Sequence, residues 1–327
     1  MRVVVTGSSG QIGTNLALRL QGDGHDVFGV DKRVNPWTDG FRYLLKDLTS
    51  PVADELPDCD LVVHLAAHAR VHQLVHEPHR ALENAVMTFN VLEFCRRRNI
   101  PIVFSSSREV YGDVHRFTTD EGSADFAYAE STYSASKIAG EAFVYSYARC
   151  YGLRYLVFRF SNVYGRYDND LARMVRVIPL FIHKLSRGEP ITVFGGEEKT
   201  LDFTHVDDCV DGIVTGVEAL AEGGVANETI NLAYGQGNTL VRCAQLIGDA
   251  LGVEPEIAQA PPLVGEVTRY VADLGKARSL LGYQPLVPLE EGVPRAVEWF
   301  LANAQHAEGF IDAPVPQDAD FKLAGEA

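Results

Sequence analysis

Short apolar runs punctuate the first half of the chain, each followed by a polar turn and a longer stretch of helical periodicity. RVVVTG, HDVFGVD, LVVHLAA, IPIVFSSS and RYLVFRFSNVYG are such runs, and TNLALRLQGDG and PHRALENAVMTFNVLEFCRRRN are helical stretches. The runs are short and rich in β-branched residues, which predicts strands. They lack polar alternation, as strands covered on both faces do. Strand then helix, repeated, predicts an α/β fold, a doubly wound parallel sheet of Rossmann type. After about Gly165 the rhythm weakens, loops lengthen, and shorter pieces such as PITVFGG and PPLVGE appear. This predicts a smaller C-terminal substrate-binding lobe at the carboxyl ends of the strands. ETINLAYG (228–235) has strand character and is expected to return to the main sheet.

Composition narrows the classes. With 327 residues and 46% hydrophobic content, one large or two modest domains are expected. A formal charge of −15 argues against nucleic acid and anionic membrane surfaces as partners, while leaving room for a local basic pocket. No apolar run approaches the ~20 residues of a membrane span. VVV at the start runs directly into a glycine loop, unlike a signal peptide. Cys59, Cys95, Cys150, Cys209 and Cys243 show no C-x-x-C spacing and read as reduced, mostly buried thiols of a cytoplasmic protein.

Candidate chemistry begins at residues 3–14, VVVTGSSGQIGT. A strand ends, Gly7, Gly10 and Gly13 follow at three-residue spacing, and a helix starts. Such glycines permit a tight turn and let a pyrophosphate approach the helix N-terminus. The second strand ends in Asp31, suited to the adenosine ribose hydroxyls and repulsive to a 2′-phosphate, which favours NAD over NADP. Lys32 and Arg33 follow it, and either could meet a 2′-phosphate. KDL (46–48) and HLAA (64–67) end the next strand-like segments. The expected NAD contacts are Gly7, Gly10, Gln11, Ile12, Gly13, Asp31, Lys32, Asp47, Leu48, Leu65, Ala66, Ala67, Asn84, Ser105, Tyr133 and Lys137. The expected division is 1–165 for the NAD-binding domain, with 205–237 returning to it, 166–204 and 238–311 for the substrate lobe, and 312–327 for a poorly ordered tail.

YSASK places Tyr133 and Lys137 four apart, on one helix face. A phenol of pKa ~10 is a poor base at neutral pH, and a neighbouring ammonium lowers that pKa. His64, His68, His72 and His76 also recur every four residues. His64 falls in a predicted strand and His68 in the loop after it, so they share no helical face and no metal is assigned. His68 could instead border the nicotinamide or the substrate.

Taken in order, the glycine loop, Asp31, HLAA, N-x-x-x-T-x-N-V-L-E (Asn84 to Glu93), SSSREVYG, YSASK, FSNVYG, DFTHVDD and VADLGKARSLLGYQP form a specific series. The chain resembles the extended short-chain dehydrogenase/reductase family, in its NAD-dependent sugar epimerase/dehydratase group, to about residue 300. The resemblance implies that Ser107 hydrogen-bonds the substrate hydroxyl being oxidised, Tyr133 takes its proton, and Lys137 holds the nicotinamide ribose and tunes the tyrosine. It implies transient oxidation at sugar C4, with hydride passing to NAD and returning. It also implies a homodimer through a four-helix bundle, built from helices at about 80–98 and 131–150 that carry Phe143, Tyr145 and Tyr147. Ser107, Arg108, Asn162 and Arg269 are the expected substrate contacts.

Some positions depart from the family pattern. In simple 4-epimerases of the group, the two residues after the catalytic hydroxyl are commonly small or hydroxylic; here they are Arg108 and Glu109. A glutamate at the second position resembles 4,6-dehydratases and uronate decarboxylases, where it can act on C5 or influence C6. Glu109 is therefore a catalytic candidate, or it pairs with Arg108 and only orders the loop. Leu201 stands where many relatives carry a diphosphate-binding arginine, Leu263 and Val264 where a second is common, and Leu74 where a serine is common. Lys199, Arg173, Arg176 or Arg269 could substitute. The expected function is an NAD-dependent nucleotide-sugar 4-epimerase, of UDP-glucose/UDP-galactose or UDP-uronate type. Two alternatives stay open: a nucleotide-sugar 4,6-dehydratase or UDP-glucuronate decarboxylase using Glu109, and a dehydrogenase of a non-nucleotide sugar or small alcohol. A binding module without catalysis is disfavoured by the intact Ser, Tyr and Lys set.

Overall fold

The computed structural model describes residues 1–52, 54–112, 121–123, 129–168, 170–171, 175–265 and 267–307. The expected tail at 312–327 and the candidate Arg173 lie outside them. The first part of the chain runs β1 (Arg2–Thr6), α1 (Gln11–Gly22), β2 (Asp26–Asp31), β3 (Arg42–Leu45), β4 (Leu61–His64), α2 (Val71–His76), α3 (His79–Arg98), β5 (Ile102–Ser107), α4 (Thr132–Tyr151) and β6 (Tyr155–Phe160). The remainder runs β7 (Asn162–Tyr164), α5 (Val177–Leu185), β8 (Ile191–Phe194), β9 (Thr200–His205), α6 (Val206–Glu222), β10 (Glu228–Leu232), β11 (Gly237–Thr239), α7 (Leu240–Leu251), β12 (Ile257–Ala260), α8 (Gly275–Leu281) and α9 (Leu289–Ala302).

A seven-stranded sheet in the order β10-β6-β5-β4-β1-β2-β3 forms the centre, and its paired strands are all parallel. The unbroken apolar runs follow from helices on both faces. Val3, Val5, Leu61, Val63, Leu156 and Phe158 point into one core with residues of α1, α6 and α8. Val4, Val62, Ile102, Phe104 and Val157 point into the other with α3 and α4. Strand order reverses between β1 and β4, and a crevice at the carboxyl ends of these strands is where such sheets take ligands.

The run RYLVFRFSNVYG splits in two. β6 ends at Phe160, and after Ser161 the chain leaves the main sheet to make β7, which pairs with β9 in a three-stranded sheet with β11. β8 and β12 form a separate parallel pair. α5, α7 and α9 pack around a third core that includes Phe181, Leu201, Ile247 and Phe300. β10 lies in the main sheet beside β6. Tyr270, Ala272, Leu274, Ala277 and Leu281, expected in the smaller lobe, bury their side chains in the main-sheet core beneath α6.

Candidate active site

A cavity of about 770 Å³ opens at the carboxyl ends of β1, β2, β4 and β5 and extends under α5 and β9. Its first end is made largely of backbone. Gly7 has φ +72°, and a Cβ there would sit 2.7 Å from the Ala66 nitrogen, so only glycine fits between β1 and β4. A Cβ on Gly13 would lie 2.1 Å from the Gly7 carbonyl oxygen, which keeps the first turn of α1 tight against the loop. Gly10 caps α1 without a side-chain cap, and Gln11, Ile12 and Gly13 line the cavity. The first N–H groups of a helix have no intrahelical partner, so this end suits a pyrophosphate.

Asp31 closes the same end. Its Oδ2 accepts the Ser9 N–H at 3.0 Å and its Oδ1 the Arg33 N–H at 3.1 Å. A carboxylate has about four lone-pair sites, so with the Arg33 Nε 3.8 Å from Oδ1 it can still accept from a ribose hydroxyl. Lys32, Asp47, Leu48, Leu65, Ala66 and Ala67 also line this end. Asp47 is oriented by the N–H and hydroxyl of Thr49, and its pKa is lowered chiefly by that backbone bond. These features fit a dinucleotide with free ribose hydroxyls.

The second end is made of side chains. Ser107 ends β5, its hydroxyl accepts the Glu109 N–H at 3.2 Å, and it lines the cavity together with Tyr133. Tyr133 stands in the first turn of α4, whose N-cap Ser131 accepts the Ser134 N–H at 3.1 Å. One turn on, Lys137 Nζ donates to the Ser105 carbonyl at 2.8 Å and lies 5.9 Å from the Tyr133 ring centroid. Burial pushes the Tyr133 phenol up to about 12, against the pull of Ser107, Arg108 and Arg176. Burial also brings Lys137 down to about 8, against the pull of Glu141. The phenol is therefore raised rather than lowered, with desolvation and the Glu109 charge outweighing the other neighbours.

Beneath these residues lies a buried ion pair. Arg159 Nη2 donates to Glu141 Oε2 at 2.7 Å, and Ser106 and Tyr145 donate to the same carboxylate at 2.5 and 2.8 Å. The network ties α4 to β5 and β6 and so sets the height of Tyr133 and Lys137. Glu141 lies four residues beyond Lys137, one more turn along the same helix face. Arg108 pairs with Glu109 at 2.9 Å inside the cavity, so the ordering role of Glu109 has a partner in place.

Two residues assigned from the sequence do not line the cavity. Asn84 is buried on α3, where it accepts the His68 N–H at 2.7 Å and donates to the His68 carbonyl at 3.0 Å. It shapes the loop after β4 rather than the cavity wall. Arg269 is exposed, in a backbone bridge to Thr200. Asn162 lines the cavity and donates to the Asp202 carbonyl at 3.1 Å. Leu201 and Leu263 line it where arginines were sought, and Leu201 belongs to the third core. Arg176 and Lys199 also face it, and Arg176 bonds both Gln11 and Asp168. Two features went unmarked in the sequence: Arg70, which lines the cavity from the turn before α2, and the Asp168–Arg176 pair. Neither carries a motif that would have singled it out.

The four histidines separate as their positions suggested. His64 ends β4 with Nδ1 2.7 Å from the Thr6 hydroxyl, His68 sits in the loop, and His72 and His76 lie on α2 with their Nε2 atoms 3.2 Å apart.

The model of the NAD-dependent epimerase/dehydratase family matches residues 3–233. The UDP-glucuronic acid decarboxylase 1 of Xenopus tropicalis is 30% identical over 98% of this chain and 77% of its own. A crystal structure of UDP-glucose 4-epimerase with UDP-glucose, from Thermotoga maritima, superposes with a TM-score of 0.85 at 30% identity, covering 93% of this chain and 100% of the other. That of the Thermus thermophilus UDP-glucose 4-epimerase complex with NAD gives 0.83 at 28% identity, covering 92% and 99%.

Proposed function

The chain belongs to the NAD-dependent epimerase/dehydratase family, and we propose that it is a nucleotide-sugar 4-epimerase of the UDP-glucose/UDP-galactose or UDP-uronate type. The observation that carries this reading is the meeting of Ser107, Tyr133 and Lys137 in the wall of one cavity, with Lys137 Nζ held on the Ser105 carbonyl 5.9 Å from the Tyr133 ring, at one end of a space suited to a dinucleotide. The two epimerase structures above support the substrate class. Gly7, Gly10, Gly13 and Asp31 would hold NAD, which when bound accepts a hydride and gives it back. Ser107 orients the C4 hydroxyl, and Tyr133 takes its proton as the carbonyl forms. Lys137, with a pKa near 8, remains largely charged at neutral pH and stabilises the phenolate.

A second reading has its own support. Glu109 is buried in the cavity next to Ser107, and a decarboxylase is among the relatives. On that reading Glu109 acts on C5 or C6 of a uronate. One experiment separates the two: incubation with UDP-glucose and UDP-glucuronate, followed by mass and proton NMR detection. A C4 isomer of unchanged mass is expected; loss of water or carbon dioxide would replace the epimerase by the second reading.

The proposal extends to a homodimer through α3 and α4. Leu82, Phe89 and Phe143 are exposed on these packed helices, and the Phe89 and Phe143 rings lie 6.4 Å apart. A monomer mass in sedimentation equilibrium would remove it. A cytoplasmic location is supported by five cysteines free of disulfides. Among the described residues, no helix is long and apolar enough to cross a membrane.

A further inference from the structure

We infer that Arg108 selects a sugar bearing a carboxylate next to the reacting carbon, so that the preferred substrate is a nucleotide-linked uronic acid rather than a neutral hexose. This deepens the 4-epimerase reading and rests on it for the placement of the sugar. Arg108 follows Ser107 directly and opens the 3-10 turn Arg108–Tyr111. Its side chain is only 11% exposed and lines the same cavity.

Two contacts fix the guanidinium. Nη2 pairs with Glu109 Oε1 at 2.9 Å, and Cζ lies 5.9 Å from the Tyr270 ring centroid. Nη1 is buried and has no hydrogen-bond partner among the described residues. A guanidinium keeps its charge and offers five N–H donors, and buried donors are as a rule paired. Asp202 is a further negative charge that Arg108 feels, but it makes no hydrogen bond to Nη1. Its carboxylate already accepts the N–H groups of Tyr234, Gly235 and Ala272 at 3.1, 2.9 and 3.2 Å.

Sugar geometry then limits what the acceptor can be. With the C4 hydroxyl on Ser107 and Tyr133, the neighbouring ring carbons are C3 and C5. The diphosphate hangs from C1, diagonally across the ring, and points away from Ser107. C3 carries a neutral hydroxyl, and C5 carries C6. A C6 carboxylate is therefore the anionic group that can stand beside the reacting carbon. Planar guanidinium and planar carboxylate match edge to edge. Arg70 adds positive charge to the cavity lining. It follows β4, the strand next to β5, lines the same cavity, and has its pKa lowered by burial alone.

The test compares equilibrium binding of UDP-glucuronate and UDP-glucose to the NAD-loaded enzyme by calorimetry. UDP-glucuronate is expected to bind at least ~10-fold tighter, the lower range for a hydrogen bond to a charged group. Arg108→Gln should shrink that advantage to a few-fold, and Arg108→Lys, which keeps a charge, should retain part of it. Equal or weaker binding of UDP-glucuronate by the unmodified protein overturns the inference, as does a preference that survives Arg108→Gln. If the glutamine variant fails to fold, the unmodified protein's preference and the lysine variant still decide. NMR of the same mixtures judges the parent reading separately. Selective binding without a C4 isomer would remove the epimerase and leave the carboxylate site. Conversion of UDP-glucose without selectivity would do the reverse.

Discussion

The two ends of the cavity are built by different means. At the cofactor end, the ligand-facing groups include backbone N–H groups and the carboxylates of Asp31 and Asp47, placed by strand ends and a helix start. At the substrate end they are side chains: Ser107, Arg108, Tyr133, Arg176 and Lys199, drawn from separate segments. An end made of backbone is fixed by the sheet and admits few solutions, as the tight fit of Gly7 against Ala66 illustrates. An end made of side chains can be re-aimed one residue at a time. The same cofactor site can therefore serve different sugars as single side chains such as Leu201, Leu263 and Arg108 change.

The largest separation of the two ends should come from Tyr133→Phe. The phenol is the proposed proton acceptor, so turnover should fall at least ~10²-fold, the usual reach of general base catalysis. NAD retention should stay close to that of the unmodified protein, because the backbone of the glycine loop and Asp31 remain. Steady-state turnover and the ultraviolet absorbance of cofactor released on denaturation measure the two effects. A loss of both together would show that the ends are not separable.

That contrast also governs what could be read from the chain. The inner strands of the main sheet were legible because burial on both faces leaves unbroken apolar runs, and the glycine loop because a tight turn admits few residues. The break at Ser161 was hidden, since RYLVFRF and SNVYG read as one strand when only composition is visible. Which group pairs with Arg108 was open as well: two adjacent ionisable residues can face each other or face apart. Asp168 and Arg176, eight residues apart, offered no periodic signal at all.

Acid should weaken the cofactor end next. His64 lies under the glycine loop, with its Nδ1 on Thr6 and its Nε2 3.4 Å from the Thr88 hydroxyl. Burial drives its pKa down to about 3, with Lys137 adding to the effect. The unfolded chain, with a histidine pKa of ~6.5, thus binds a proton that the folded chain refuses between these values. Stability is unaffected by this group above that range and declines as pH falls through ~6.5. Between pH ~7 and ~5 the loss should be about 2 kcal/mol. Urea unfolding of the unmodified protein and His64→Gln at both pH values measures it; an identical pH dependence in the two would refute this role.

Asp31→Ala touches only the cofactor end and should act more gently. Removing the carboxylate removes its repulsion of a 2′-phosphate, while Lys32 and Arg33 remain to meet one. The NAD-over-NADP preference should fall by roughly tenfold, the scale of a single charge contact near a protein surface. Turnover at saturating NAD should change little. Fluorescence titration with both cofactors checks this, and tighter binding of NADP than NAD by the unmodified protein would sink the assignment.

Glu109→Gln should have the smallest effect, and its isotopic readout bears most directly on the substrate end. In a 4-epimerase, the C4 hydrogen leaves with its electron pair and returns, and no solvent proton enters carbon. Glu109 then serves by orienting Arg108, from which it is 2.9 Å away. A glutamine keeps one acceptor for that guanidinium but loses the charge, so KM should rise only a few-fold and kcat should hold. If Glu109 instead removes a proton from C5, turnover in D2O must place deuterium there, since a carboxylate exchanges its proton with water. Glu109→Gln would then abolish the label while C4 oxidation persists. The pairing with Arg108 at 2.9 Å favours the first outcome, because it gives the carboxylate an orienting partner already in place. Deuterium at C5 that disappears in the variant would make Glu109 a catalytic residue and move this chain toward the decarboxylases and dehydratases of its family.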